Sequence, residues 1–205
     1  MATTTTHYGF DIPQSTDLVK DGATAIATLG QDIDTAMNTA LGTNKAGMVL
    51  LNTTSFSGVS SQSINDVFSA TYTDYRILIN FVASADNQLH LRLRVGGSDN
   101  STASSYLTQE GVSSGAATAF NRTTADRLYL GNSRTIRRSL VLDLANPFET
   151  LQTTGSSVQV YFDGGNAAAG SYGYQHTQTV SYTGFTLIPA SGTVTGSASV
   201  FGYNK

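Results

Sequence analysis

Carboxylates and histidines are the side chains in this chain that could perform acid–base or nucleophilic chemistry. The sequence holds 14 acidic residues and three histidines, His7, His90 and His176. A glycosidase needs two facing carboxylates, and the acidic residues of 45–205 are scattered, mostly in or beside predicted turns, with no pair recognisable by spacing. No Gly-x-Ser-x-Gly nucleophile motif accompanies the histidines. We therefore predict that the protein is not an enzyme.

Metal and thiol chemistry find equally little support in the sequence. The chain has no cysteine, which excludes disulfides and thiolate ligands. No cluster of histidine and aspartate has zinc or calcium spacing. Residues 163–166, Asp-Gly-Gly-Asn, match a fragment of a calcium loop without the rest of it and are interpreted as a tight turn. We expect no metal and no cofactor.

An aromatic segment, 161–176, is the first candidate binding site. Its glycines would let a ligand approach the backbone closely. Its aromatic rings could stack on the C–H faces of a sugar, and its amide side chains could form hydrogen bonds with the sugar's hydroxyls. The alternative is that the rings pack in the core or at a subunit interface. The residues predicted to contact a host glycan are Tyr172, Tyr174, His176 and Asn166.

A row of basic side chains is the second candidate site. His90, Arg92 and Arg94 alternate along one predicted strand, with Arg137 and Arg138 elsewhere in the sandwich. Such a row suits an acidic glycan or a phosphate. Salt bridges to neighbouring acidic residues are the competing and commoner explanation.

Composition limits the remaining function classes. Charged residues make up 12% of the chain, about half the share of an average soluble domain, and the net charge is −3. A nucleic-acid-binding face would need excess positive charge, so we expect no nucleic-acid partner. The first residues lack the basic and apolar regions of a secretory signal, and no apolar run reaches a membrane span, so we expect no signal peptide and no membrane insertion.

Residues 45–205 show the pattern of an antiparallel β-sandwich. Segments 74–84 and 88–95 alternate apolar and polar residues with a period of two, and the residues 85–87 between them predict a hairpin turn. Further short strands, separated by Gly-, Asn- and Pro-rich turns, follow. The predicted fold class is mainly β, with an N-terminal arm and α-helix followed by a jelly-roll-like sandwich.

The N-terminal arm, 1–15, is predicted to be extended. Four consecutive threonines favour extended backbone, and Tyr8, Phe10 and Ile12 alternate so that one face of the arm is apolar. An apolar terminal stripe needs a surface to pack on. We assign these three residues to anchoring on another protein; the alternative is that the arm folds back on its own domain.

Residues 16–41 are predicted to form a helix with a short coiled-coil seam. Apolar and small residues recur at heptad spacing, and a helix of this length is marginal alone. It therefore packs on copies of itself or on a docking partner; the alternative is packing on its own sheet. The predicted domains are 1–44 and 45–205. The seam comprises Val19, Ile26, Leu29, Ile33, Ala36 and Ala40.

Three stretches of the chain resemble tailed-bacteriophage virion proteins of the minor-tail or tail-fibre type. Residues 8–22, Tyr-Gly-Phe-Asp-Ile-Pro-Gln-Ser-Thr-Asp-Leu-Val-Lys-Asp-Gly, are similar to the N-terminal segment of such proteins. The C-terminal part of the chain is similar to their jelly-roll heads. In those heads a strand like 179–188 is followed by a Ser-Gly turn and by a last strand, which here ends on Phe201-Gly202-Tyr203. The middle phrase 68–81 is also similar to these heads.

The resemblance implies a virion location and a structural role. It implies 1–44 as attachment arm and oligomerisation helix, a homotrimer, other virion proteins as partners, and a sandwich head that contacts host-surface glycan. The heptads alone are as compatible with two strands as with three. The alternative role is a capsid decoration, collar or connector protein that binds no receptor.

Overall fold

The computed structural model describes residues 3–6, 8–12, 18–41, 47–114, 117–163 and 166–203. The chain divides into two compact units, Met1–Gly47 and Met48–Lys205. The division lies three residues beyond the predicted boundary at 44/45.

The N-terminal unit combines a hairpin and a helix. Strand β1 (Thr3–Thr4) pairs antiparallel with β2 (Asp11–Ile12), and α1 spans Val19–Leu41. The extended arm that we predicted is therefore a hairpin. Gly9 has a φ of 67°, which is accessible to glycine at no steric cost, and the amide of Thr5 donates to the carbonyl of Phe10 at 2.9 Å. The residues whose types suit the ends of this helix, Ser15 or Thr16 as the N-cap and Gly42 at the C-terminus, lie outside the described ranges.

The second unit consists of two antiparallel sheets. The larger has eight strands in the order β3-β15-β5-β11-β12-β13-β8-β9, and the smaller has the order β10-β6-β14-β4 with β7 paired to β6. Their bounds are β3 (Met48–Val59), β4 (Gln62–Ile64), β5 (Asp74–Ala83), β6 (Asn87–Val95), β7 (Ser98–Asp99), β8 (Tyr106–Ser114), β9 (Ala117–Ala125), β10 (Leu128–Ser133), β11 (Arg138–Ala145), β12 (Thr153–Asp163), β13 (Asn166–His176), β14 (Gly184–Pro189) and β15 (Val194–Tyr203). A mainly β fold with one helix followed by an antiparallel sandwich is confirmed.

The core forms where the alternating strands of the two sheets face each other. Ile77 and Ile79 of β5, in the large sheet, and Leu91 and Leu93 of β6, in the small sheet, are at most 1% exposed. Burying one such side chain stabilises the fold by roughly 1.5–3 kcal/mol. These residues are the ones that the period-two pattern places on one face, so the pattern identifies the core of both strands.

The connection between β5 and β6 differs from the prediction. We predicted a hairpin through residues 85–87, but β5 pairs with β11 and β15, whereas β6 pairs with β10 and β14. The turn therefore crosses from one sheet to the other. Alternation of apolar and polar residues shows that each strand buries one face. The same alternation is expected whether the two strands pair in one sheet or face each other across the core from two sheets.

We expect the fragment 48–205 to fold without the N-terminal unit. Its core is internal to the two sheets, and its size exceeds that at which single domains become marginal. Circular dichroism of this fragment should show β structure and a cooperative thermal transition. A disordered spectrum would contradict the prediction and would mean that residues before Met48 complete the core.

Among the residues that the structure describes, no helix is both long and apolar enough to cross a membrane.

Candidate functional site

The N-terminal unit contains an apolar groove between its hairpin and its helix. The rings of Tyr8 and Phe10 stack with centroids 5.6 Å apart beside the C-terminal half of α1. The groove has a volume of about 320 Å³. It is lined by Tyr8, Phe10, Ile33, Ala36, Met37 and Ala40. Two of the three predicted anchoring residues therefore meet three of the predicted seam residues.

The apolar surface of this unit extends beyond the groove along the helix. Ile26 is 66% exposed and Met37 55%, while Leu29 and Ala36 are half-buried. Ile33 and Ala40 are also exposed, and Ile12 is 39% exposed at the hairpin. The side chain of Val19 lies outside the described residues. Most of the predicted seam thus remains open to solvent within this unit.

No seam position carries a charge. The charged residues of α1, Lys20, Asp21, Asp32 and Asp34, fall at other heptad positions. Packing this face against another surface would therefore remove apolar area from water without burying an ion, which is the favourable case for association.

The aromatic residues assigned to a host glycan occupy the core instead. Tyr172 is 2% exposed, Tyr174 5% and His176 1%, so the expectation of exposed stacking rings is wrong for these three. The hydroxyl of Tyr174 lies 2.6 Å from that of Ser157, and its pKa is raised by burial. Because these positions alternate inward on β13, the sheet buries them. The side chain of Asn166 lies outside the described residues.

A hydrogen-bonded cluster surrounds His176. Its Nε2 lies 2.6 Å from the hydroxyl of Tyr182, which accepts a hydrogen bond from Asn100 at 2.7 Å. The ring of His176 stacks on Tyr106 with centroids 4.0 Å apart. Burial lowers the pKa of His176 to about 4 and raises the pKa of Tyr182 to about 12. At neutral pH the ring of His176 is therefore uncharged.

The basic row is neutralised by ion pairs. Arg92 pairs with Asp126, and Arg94 pairs with Asp99. His90 is half-buried, and burial, helped by the charge of Arg127, lowers its pKa to about 4. The salt-bridge alternative thus accounts for Arg92 and Arg94, while Asp126 also pairs with Arg127 and Arg137 is exposed.

Two further carboxylates of the sandwich form ion pairs, and a third is partly buried. Asp143 forms a bidentate pair with Arg76 at 2.8 and 2.9 Å, and Asp86 pairs with Arg134 at 3.0 Å. Burial raises the pKa of Glu110, which lies near Tyr172 and Tyr129. Within the described ranges, no three His, Asp or Glu side chains are placed to hold a metal ion.

A polar cleft at one end of the sandwich is a further candidate site, which the sequence does not predict. Its volume is about 350 Å³. It is lined by Asp86, Asn87, Gln88, Asn132, Ser133 and Arg134. These residues come from two segments of the chain, 86–88 at the start of β6 and 132–134 at the end of β10. Nothing in their spacing shows that the two segments meet.

Comparisons with known proteins give one structural similarity. No family model matches the chain, and no curated protein matches it. The crystal structure of the galectin LEC-6 from Caenorhabditis elegans is similar in fold. It is 10% identical, the match covers 76% of this chain and 96% of the galectin, and the TM-score is 0.30. A similarity this weak does not bear on what the chain binds.

Proposed function

We propose that the protein is a structural, non-enzymatic component of a tailed-phage virion, of the tail-fibre or tail-tip type. In this proposal the hairpin–helix unit anchors the chain and assembles it with copies of itself, and the sandwich faces outward toward the host surface. The open apolar seam and groove of the N-terminal unit carry the assembly part of the proposal. The virion context comes from the resemblance of 8–22 and of the C-terminal strands.

The energetics favour an assembled N-terminal unit. Most of the stability of a protein helix comes from packing of its apolar face, and the short hairpin covers only part of the apolar surface of α1. Burying one exposed isoleucine contributes roughly 1.5–3 kcal/mol. Ile26, Ile33 and Met37 together thus supply enough apolar burial for association. We propose a homotrimer, as in the proteins that the chain resembles.

We expect the double variant Ile26→Asp, Ile33→Asp to abolish self-association. Each change would place a carboxylate in the apolar seam, where desolvation penalises it. Sedimentation equilibrium at high micromolar concentration should show an oligomer for the unaltered chain and a monomer for the variant.

The matched control is Ile136→Asp, because Ile136 is 51% exposed on the sandwich and lies outside the seam. This variant should remain oligomeric. A monomeric unaltered chain would contradict self-assembly through α1 and would leave docking on a different virion protein as the role of the seam. A trimer that survives both seam changes would place the interface elsewhere.

A connector or capsid decoration protein that touches no host is the second candidate function. The burial of Tyr172, Tyr174 and His176 favours it, because the rings proposed for receptor contact are unavailable at the surface. Immunogold labelling of intact particles distinguishes the two. Label at the distal end of the tail supports the fibre role, and label at the capsid or collar supports the connector role.

A further inference from the structure

We propose that the polar cleft lined by Asp86, Asn87, Gln88, Asn132, Ser133 and Arg134, here called the turn cleft, binds a saccharide-type polyhydroxylated ligand. The proposal concerns the sandwich alone, and it holds whether or not the chain belongs to a virion. It goes beyond the assembly role, because neither the apolar seam nor the hairpin takes part.

Three turns build the turn cleft and hold its walls in place. The amide of Ala83 donates to the carbonyl of Arg134 at 2.9 Å, which joins the first two turns. The amide of Ala190, from the third turn, donates to Gln88 at 2.8 Å. The side chain of Asn87 donates to the hydroxyl of Ser191 in the same third turn. The walls are thus organised before any ligand arrives, which lowers the entropy cost of binding.

A bulge in β10 brings its polar end into the turn cleft. The register of β10 against β6 shifts between Tyr129 and Gly131, after which Asn132 lies opposite Gln88 and Ser133 opposite Asn87. Gly131 has a φ of 116°, and a Cβ there would lie 2.4 Å from Oε1 of Gln159. The backbone therefore takes a course that only glycine permits, and the result is to set two polar side chains beside two others.

Two buried polar atoms at this end of the sandwich lack a hydrogen-bond partner. Ser133 is 0% exposed and lines the turn cleft, yet its hydroxyl bonds to nothing among the residues that the structure describes. Gln159 donates to the carbonyl of Asn132 at 3.1 Å, while its Oε1 has no partner there. Buried polar groups are almost always satisfied, by protein, water or ligand. The unsatisfied hydroxyl of Ser133 thus shows that the described residues do not complete the hydrogen bonding at this end of the sandwich.

The side chains that line the turn cleft indicate the class of ligand that it would bind. The exposed carboxamide of Gln88 offers both donors and acceptors, as vicinal hydroxyls require. The carboxamides of Asn87 and Asn132 bond to Ser191 and to Tyr129 and keep part of their hydrogen-bonding capacity. The carboxylate of Asp86 lies 3.0 Å from Arg134 and accepts from the amide of Thr135 at 3.1 Å, so its charge is compensated. The turn cleft is small, near the lower limit of ligand pockets, which suits one or two sugar rings. A compensated, amide-rich cleft favours a neutral polyol over an ion or an apolar molecule.

The test is a titration of the full chain followed by amide chemical shifts. The probes are methyl α-D-mannopyranoside, methyl β-D-galactopyranoside and N-acetylglucosamine, with glycerol and inorganic phosphate as comparison ligands. We expect at least one sugar to give saturable shifts at residues 86–88 and 132–134. Dissociation constants should be on the order of millimolar, because one small cleft gives weak binding that several copies strengthen by avidity.

Variants then connect the binding to the turn cleft. Gln88→Ala should weaken sugar binding by about fivefold, the loss expected for one hydrogen bond. Ser133→Ala should leave the melting temperature unchanged or raised, because the hydroxyl has no protein partner. The matched control is Gln152→Ala, an exposed glutamine just before β12, at the opposite end of the sandwich, which should bind as the unaltered chain does.

Four results would overturn the proposal. They are the absence of saturable shifts with all three sugars, shifts that map outside the turn cleft, equal binding of glycerol, which would indicate an adventitious additive only, and preferential binding of phosphate. None of these results depends on oligomeric state, so failure here is distinct from failure of the assembly role.

Discussion

Replacing Gly196 with alanine is expected to lower the free energy of unfolding by about 3 kcal/mol or more. Gly196 lies on β15, and a Cβ there would lie 2.0 Å from the carbonyl oxygen of Asn80 and 2.8 Å from Cα of Phe81. Both atoms are backbone of β5, the neighbouring central strand, so relief requires the strands to separate. Urea denaturation followed by circular dichroism measures the change.

Gly173→Ala provides the matched control for this prediction. Gly173 also lies within a strand of the large sheet, β13, but nothing lies within 4 Å of a Cβ placed there. We expect its stability to be unchanged or increased by up to about 1 kcal/mol, because alanine reduces the entropy of the unfolded chain. Equal transition midpoints for Gly196→Ala and the unaltered protein would show that β15 and β5 do not pack as the structure has them.

Acidification from about pH 7 to about pH 4.5 is expected to destabilise the sandwich through two histidines. Burial lowers the pKa values of His176 and His90 to about 4, against about 6.5 in the unfolded chain. As pH falls below about 6.5, the unfolded chain binds protons that the folded chain does not, so stability is lost until pH falls to about 4. By about pH 4.5 the loss should be on the order of 2 kcal/mol for each histidine.

Chemical denaturation across this pH range measures the effect, and His176→Phe isolates one contribution. Phenylalanine keeps a ring beside Tyr106 while removing the titrating group, so the loss between about pH 6.5 and about pH 4.5 should shrink by about half. The pKa values of Asp86 and Asp126 are lowered, mainly by hydrogen bonds from the amide of Thr135 and from Arg127, so these carboxylates lose their contribution only at lower pH. Stability that stays flat across the window would contradict the burial of both histidines.

The strand pattern of the sandwich was largely predictable from the sequence. Alternation in β5 and β6 identifies both strands and the buried faces, because a half-buried strand needs apolar residues at every second position. Other strands were missed: β8, β9 and most of β13 carry Gly, Ser, Ala and Thr where apolar residues would mark a buried face. Their place in the large sheet comes from hydrogen bonding to neighbours, which no local pattern records.

The candidate sites also differ in how far the sequence predicts them. The open apolar seam on α1 follows from heptad spacing, since residues seven apart share one helix face whatever surrounds them. The sequence does not show whether the aromatic residues of β13 are exposed or buried. A tyrosine is equally compatible with a sugar-binding surface and with a polar core, and only the neighbouring strands decide between them. The turn cleft could not be predicted from the sequence, for a related reason. Its residues lie about 45 positions apart, and only the antiparallel pairing of β10 with β6 brings them together.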